Sequence, residues 1–217
     1  MRQALIRLDD FIKENGPFDG VFGFSLGASL AMAYMLDQQR RRATPFCFAI
    51  LFSPIFIASP NDDYCRQLVM RLLDDNHTAF RSAFPDGDFV PLLGLSESTT
   101  ERTFVEYLQI VLSMHSMVGM ILPNTRLEFF REGKAEVIPR LLHPLLIEDR
   151  IQVPTVHVTG SKDVPSMAEQ SRVAQGLCNA SLARVHGHMG SHEVPFKKSD
   201  VKAVVSSIKL AAEEAYE

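Results

Sequence analysis

Residues Gly23-Phe24-Ser25-Leu26-Gly27 form a G-x-S-x-G pentad. A serine in such a pentad can be a nucleophile held at a sharp strand-to-helix turn. A serine alcohol needs a general base to activate it, and the base needs an acid to orient it. In the fold built around this turn the chain order is serine, then Asp or Glu, then histidine. Gly160-Ser161-Lys162-Asp163 offers the acid as Asp163, and HGHMGSHEVP (186–195) offers the base as His192. Asp62 and Asp63 are alternative acids, and His186 and His188 are alternative bases. The reading adopted is Ser25 as nucleophile, Asp163 as acid and His192 as base, with the backbone N–H of Leu26 facing the oxyanion. Gly23 and Gly27 are the elbow glycines, where side chains are expected to strike the neighbouring strand or the helix start. The chemistry is acyl transfer to water through an acyl-enzyme. It needs neither cofactor nor metal. Three clustered histidines could suggest a metal site, but no helix-spaced ligand pair or carboxylate motif accompanies them.

These residues must be carried by suitable elements. Ala4, Leu5, Leu8, Phe11 and Ile12 recur at helical spacing over 2–14, and Gly16-Pro17 ends the run. Residues 19–24 read as a buried strand leading into Ser25, and the Ala-, Leu- and Met-rich stretch 26–41 as the helix leaving it. FCFAILF (46–52) is a near-continuous apolar run suited to a parallel strand covered on both faces. TVHVT (155–159) is a further strand with Asp163 just beyond it, and residues 182–186 a short strand ahead of His192. Helices are expected over 166–178 and 199–216, the latter capped by Ser199 or Asp200. His157 reads as a packed strand histidine, and His77, His115 and His143 as structural or exposed. The alternation implies an α/β fold, a mostly parallel sheet flanked by helices, with a helical insertion or cap between about 55 and 148. Within that insertion, helices are expected over 62–74 and 100–121, and a Pro- and Gly-containing loop between them. VLSMHSMVGMIL (111–122) reads as core, or as a pliant apolar wall for an acyl chain. The chain is taken as one domain over 1–217.

Composition narrows the class. The 217 residues are 46% hydrophobic and 22% charged, with a net charge of −4, as expected for a globular domain. Nucleic acid is an unsuitable partner for such a surface. Three cysteines at unrelated spacings give no disulfide framework or zinc-finger pattern. The N-terminal segment MRQALIRLDDFIKENG is amphipathic, unlike an apolar signal core, and no apolar run reaches membrane-spanning length. A reduced, cytosolic protein is the expectation.

The segments GPFDGVFGFSLGASLA, PTVHVTGSKD and GSHEVP together resemble the fungal serine hydrolase family of the α/β-hydrolase superfamily. The resemblance runs through nearly the whole chain and is weakest over 55–148. Leu26 stands where the family usually has Gln, and Ser191 where it has the second Gly of G-G-H. The resemblance implies Ser25, Asp163 and His192 as the triad. It also implies esterase or thioesterase activity on acyl substrates, with one subset of the family releasing chains from carrier-protein thioesters in secondary-metabolite biosynthesis. Family members open with a strand and loop that supply a second oxyanion donor. Residue 1 here begins on the following helix, so the chain is expected to be truncated at its N-terminus. The strand 19–24 would then be an edge open to self-association, and the protein could be an impaired hydrolase that binds acyl ligands or partner proteins.

Overall fold

A computed structural model describes residues 2–61, 63–72, 99–118 and 140–216. The chain falls into two compact units, residues 1–60 with 148–217, and residues 61–147.

The first unit is a four-stranded sheet with helices on its faces. Its elements are α1 (Arg2–Asn15), β1 (Gly20–Phe24), α2 (Leu26–Arg40), β2 (Phe48–Phe52), β3 (Thr155–Gly160), α5 (Pro165–Gly176), β4 (Ala183–His188) and α6 (Lys198–Glu214). The strands lie in the order β1-β2-β3-β4 and every pairing is parallel. Ile50, Phe52, Val156 and Val158 point to one face, where Val204 and Ala211 of α6 pack on them with Phe48 and Ile208. The intervening residues Leu51 and His157 point to the opposite face, as strand alternation requires. That face receives α2, whose buried Ala28, Ala31, Met32, Met35 and Leu36 supply its core. Both faces of β2 and β3 are thus covered, which is why their sequences are continuous apolar runs. Right-handed crossovers from β1 to β2 and from β3 to β4 put α2 and α5 on the same side of the sheet.

The expected elements recur with shifted ends. β4 reaches His188 because its pairing with β3 continues to Gly160↔His188. His186 and His188 are therefore strand residues, and the loop ahead of α6 starts after them. The expected cap of the last helix is corrected. Lys197 is the residue at the N-cap and makes no side-chain cap bond, while Ser199 and Asp200 lie inside the first turn. Asp200 still complements the helix dipole there.

In the second unit α3 (Arg66–Leu72) and α4 (Thr99–Val118) are the described helices. Phe104, Val105, Tyr107, Leu108, Val111 and Leu112 are buried along one α4 stripe, the pattern of an amphipathic helix against a core. His143 packs its ring on Tyr107 at 5.2 Å and accepts a hydrogen bond from the Leu145 N–H at 3.1 Å. Of the 111–122 stretch, Val111 and Leu112 are buried and residues beyond 118 lie outside the described residues, as does the loop with Pro85, Gly87, Pro91 and Gly94. His77 and Asp62 also lie outside them.

Candidate active site

Ser25 sits between β1 and α2, with φ 54° and ψ −123°. Positive φ at a non-glycine residue costs on the order of 1–3 kcal/mol and persists only where the surroundings impose it. Several contacts impose it here. The Ser25 N–H donates to the Phe52 carbonyl at 2.8 Å, tying the elbow to the end of β2. Gly23 leaves room for α2: a Cβ there would lie 2.4 Å from the Cα of Ala28. The buried Ser29 hydroxyl accepts from the Ile55 N–H at 2.9 Å and lies against the Ser25 and Ile55 carbonyls, so it links the elbow to the loop after β2. Gln170 and Ser171 of α5 brace that same loop. The Gln170 side-chain oxygen accepts from Phe56 N–H at 2.8 Å, and the Ser171 hydroxyl donates to the Pro54 carbonyl at 3.0 Å. Sequence reasoning missed these three polar residues. A Ser or Gln in a helix announces nothing until the loop it serves folds back on it.

The steric role expected for Gly27 is corrected. A Cβ at that position would meet nothing within 4 Å. Gly27 lies on the exposed side of the first turn of α2, so only Gly23 of the two glycines is required for space.

The sheet brings the other two candidates to the serine. Asp163 follows β3 and His192 follows β4, each past the C-terminal end of its strand, where a parallel sheet gathers its loops. His192 Nε2 lies 2.9 Å from Ser25 Oγ, and His192 Nδ1 lies 2.9 Å from Asp163 Oδ2. A carboxylate can only accept, so Nδ1 carries the hydrogen and Nε2 is left to accept from the serine hydroxyl. The Asp163 side chain is 1% exposed and that of His192 22%, so the candidate acid is sheltered while the candidate base remains reachable. The second Asp163 oxygen, Oδ1, accepts from the Val164 N–H at 2.8 Å, which fixes the carboxylate plane at the start of α5. Phe24 covers the imidazole with ring centroids 5.1 Å apart.

The rival candidates are elsewhere. Asp63 is exposed and pairs with Arg66 at 3.5 Å. His188 is buried and its Nδ1 accepts from Gly190 N–H at 3.1 Å. His157 is fully buried in β3, as expected of a packed strand histidine. Burial pushes it down to about 4. Among the described residues no three His, Cys, Asp or Glu side chains are grouped to hold a metal ion.

The arrangement can perform nucleophilic acyl transfer. The Leu26 N–H opens α2 and belongs to the helix-start donors that lack an intrahelical acceptor. It is available for negative charge developing beside Ser25. Leu26 and Phe24 are partly exposed on either side of the serine and give it an apolar rim.

Comparison with known proteins agrees with this chemistry. The family model described as "Serine hydrolase (FSH1)" matches residues 1–204. Esterase alnB of Emericella nidulans is 34% identical over 209 residues, covering 96% of this chain and 72% of that protein. Serine hydrolase cnsH of Penicillium expansum is 26% identical over 208 residues, covering 93% of this chain and 81% of that one. Thioesterase FSL2 of Gibberella zeae is 37% identical over a shorter stretch of 60 residues, covering 28% of this chain and 24% of that one. A match running through nearly the whole length, joined to an esterase relative aligned over most of both chains, means that this chain belongs to the fungal serine hydrolase (FSH1) family.

Proposed function

We propose that the protein cleaves acyl esters or thioesters through Ser25, His192 and Asp163. The observation that carries the reading is the continuous relay from Ser25 Oγ through His192 to Asp163, with both links at 2.9 Å. Ser25 Oγ attacks the acyl carbonyl carbon while His192 Nε2 takes its proton. The carbonyl oxygen gains a negative charge that the Leu26 N–H stabilises. Collapse of the tetrahedral intermediate expels the alcohol or thiol, which recovers the proton from His192. Water, activated by the same nitrogen, then attacks the acyl-enzyme and frees the acid. Asp163 holds the tautomer and stabilises the imidazolium formed in each half-reaction. The apolar rim of Phe24 and Leu26 suits an acyl chain. The name of thioesterase FSL2 favours including thioesters, and the family resemblance read from the sequence extends the proposal to acyl chains on a carrier protein, as released in secondary-metabolite biosynthesis. Leu26 in place of the family's usual Gln leaves the backbone donor unchanged and makes the pocket mouth more apolar.

A fluorophosphonate probe tests the nucleophile. Wild-type protein should label at Ser25 and Ser25→Ala should not. Turnover of p-nitrophenyl esters, and of acyl thioesters read by released thiol, should fall by about 10⁴-fold or more in that variant. Labelling that persists in Ser25→Ala refutes the assignment.

A further inference from the structure

Beyond the three side chains, the structure assigns Gly160 as a positioning residue that locks the acid-bearing loop to the base-bearing loop. This inference rests on the reading of Asp163 and His192 as acid and base. Gly160 is the last residue of β3 and pairs with His188 at the end of β4. Immediately beyond, the two loops dock through their backbones. The Ser161 N–H donates to the His188 carbonyl at 2.8 Å, and the Lys162 N–H donates to the Gly190 carbonyl at 2.9 Å. The acid loop closes on itself as the Asp163 N–H donates to the Gly160 carbonyl at 3.2 Å, and the base loop turns through Glu193 N–H to Ser191 carbonyl at 2.9 Å. His192 lies inside that second turn, so whatever fixes residues 190–191 fixes the imidazole.

Space at Gly160 is what permits this docking. A Cβ on Gly160 would fall 2.0 Å from the Ser191 carbonyl oxygen and 2.6 Å from that of Gly190. Both obstacles are backbone, and neither can swing away as a side-chain end can. The Gly190 carbonyl is moreover held by Lys162. Any side chain at 160 must therefore drive the 190–191 segment outward, carrying His192 away from Asp163 and Ser25. The nearby Gly187 differs, because a Cβ there meets nothing within 4 Å. Gly190 is intermediate. Its added Cβ would meet the Glu193 carboxylate end at 2.2 Å and the His188 ring at 2.8 Å, and the first can rotate aside.

A displacement of about 1 Å in such a relay can cost about a hundredfold in rate. Gly160→Ala is therefore expected to lose about a hundredfold in kcat on a p-nitrophenyl ester, with KM changed less than about threefold. The low-field proton resonance of the His192 Nδ1–H···Asp163 bond should be lost with it. Loss of folding alone would not give a cooperatively unfolding protein that lacks that resonance. Gly190→Ala should show the same defect more weakly, and Gly187→Ala should match wild type in both readouts. A folded Gly160→Ala that keeps wild-type kcat or the low-field resonance overturns the inference. If Gly160→Ala does not fold, Gly190→Ala decides, and wild-type kcat and resonance there overturn it. Ser25→Ala in the same assay separates the two levels. Activity surviving in Ser25→Ala refutes the triad itself, whereas activity lost in Ser25→Ala but kept in Gly160→Ala refutes only the positioning role.

Discussion

Acid should destabilise this protein through His157, a residue remote from the catalytic chemistry. Its imidazole is fully buried in β3. Nε2 lies 3.2 Å from Thr155 Oγ1, and Nδ1 has no hydrogen-bond partner among the described residues. Protonation would place a charge in the core and add a donor at Nδ1 with nothing to accept from it. Desolvation accordingly drives the group from 6.5 to about 4. The unfolded chain binds this proton below about pH 6.5 while the folded chain resists it until about pH 4, so the unfolded state gains protons first. The stability contribution is fully present above the unfolded value and is lost as pH falls through the window between the two. Over the whole window the linkage amounts to about 3 kcal/mol, and between about pH 7.5 and about pH 5 to about 2 kcal/mol. That is a large part of the stability of an ordinary domain. His157→Gln removes the titration and keeps an amide able to meet Thr155. Urea unfolding of both proteins at the two pH values measures the difference, since the surface carboxylates contribute equally to each. Wild type should lose about 2 kcal/mol more than the variant on acidification. Parallel losses in the two proteins, or an imidazole NMR shift that titrates near 6.5, would refute the reasoning.

The two elbow glycines should separate sharply. Gly23→Ala drives a methyl into the Ala28 backbone and is expected to cost at least about 3 kcal/mol by chemical denaturation, with loss of fluorophosphonate labelling. Gly27→Ala faces open space and should fold within about 0.5 kcal/mol of wild type, so equal damage from both substitutions would contradict the steric assignment. Among the described residues β1 has a strand on one side only, and in the 217-residue chain that open side should promote self-association. Phe22 is 59% exposed there, beside a cavity of about 400 Å³ lined by Pro17, Phe18, Phe22, Phe48 and Ile50. Unpaired strand edges with apolar flanks recruit further strands. Sedimentation should show association that weakens in Phe22→Lys, and a monomer at every concentration tested would count against it.

The order of elements was legible because each carries its own local signal. Helical spacing marks α1, continuous apolar runs mark β2 and β3, and the pentad marks the β1–α2 turn. Element ends were less legible. β4 runs on to His188 because β3 lies beside it to Gly160, and α6 begins at Lys198 with neither expected cap residue at its start. Pairing and packing energies set those limits, and a short window of sequence does not contain them.

The amino-acid sequence alone determined which residue types were present, in what order and next to which strands, and that made Ser25, Asp163 and His192 the leading candidates, with Asp62, Asp63, His186 and His188 as rivals. It could do so because parallel strands deliver their following loops to one edge of the sheet, whatever the details of packing. The tertiary structure alone decided the distances: 2.9 Å at both links between Ser25, His192 and Asp163, the burial of Asp163, and the separation of the elbow glycines into one that is sterically required and one that is not. Such quantities depend on how closely segments far apart in sequence approach. At Gly23 and Gly160 that approach is close enough that one added methyl group could not be accommodated without moving backbone.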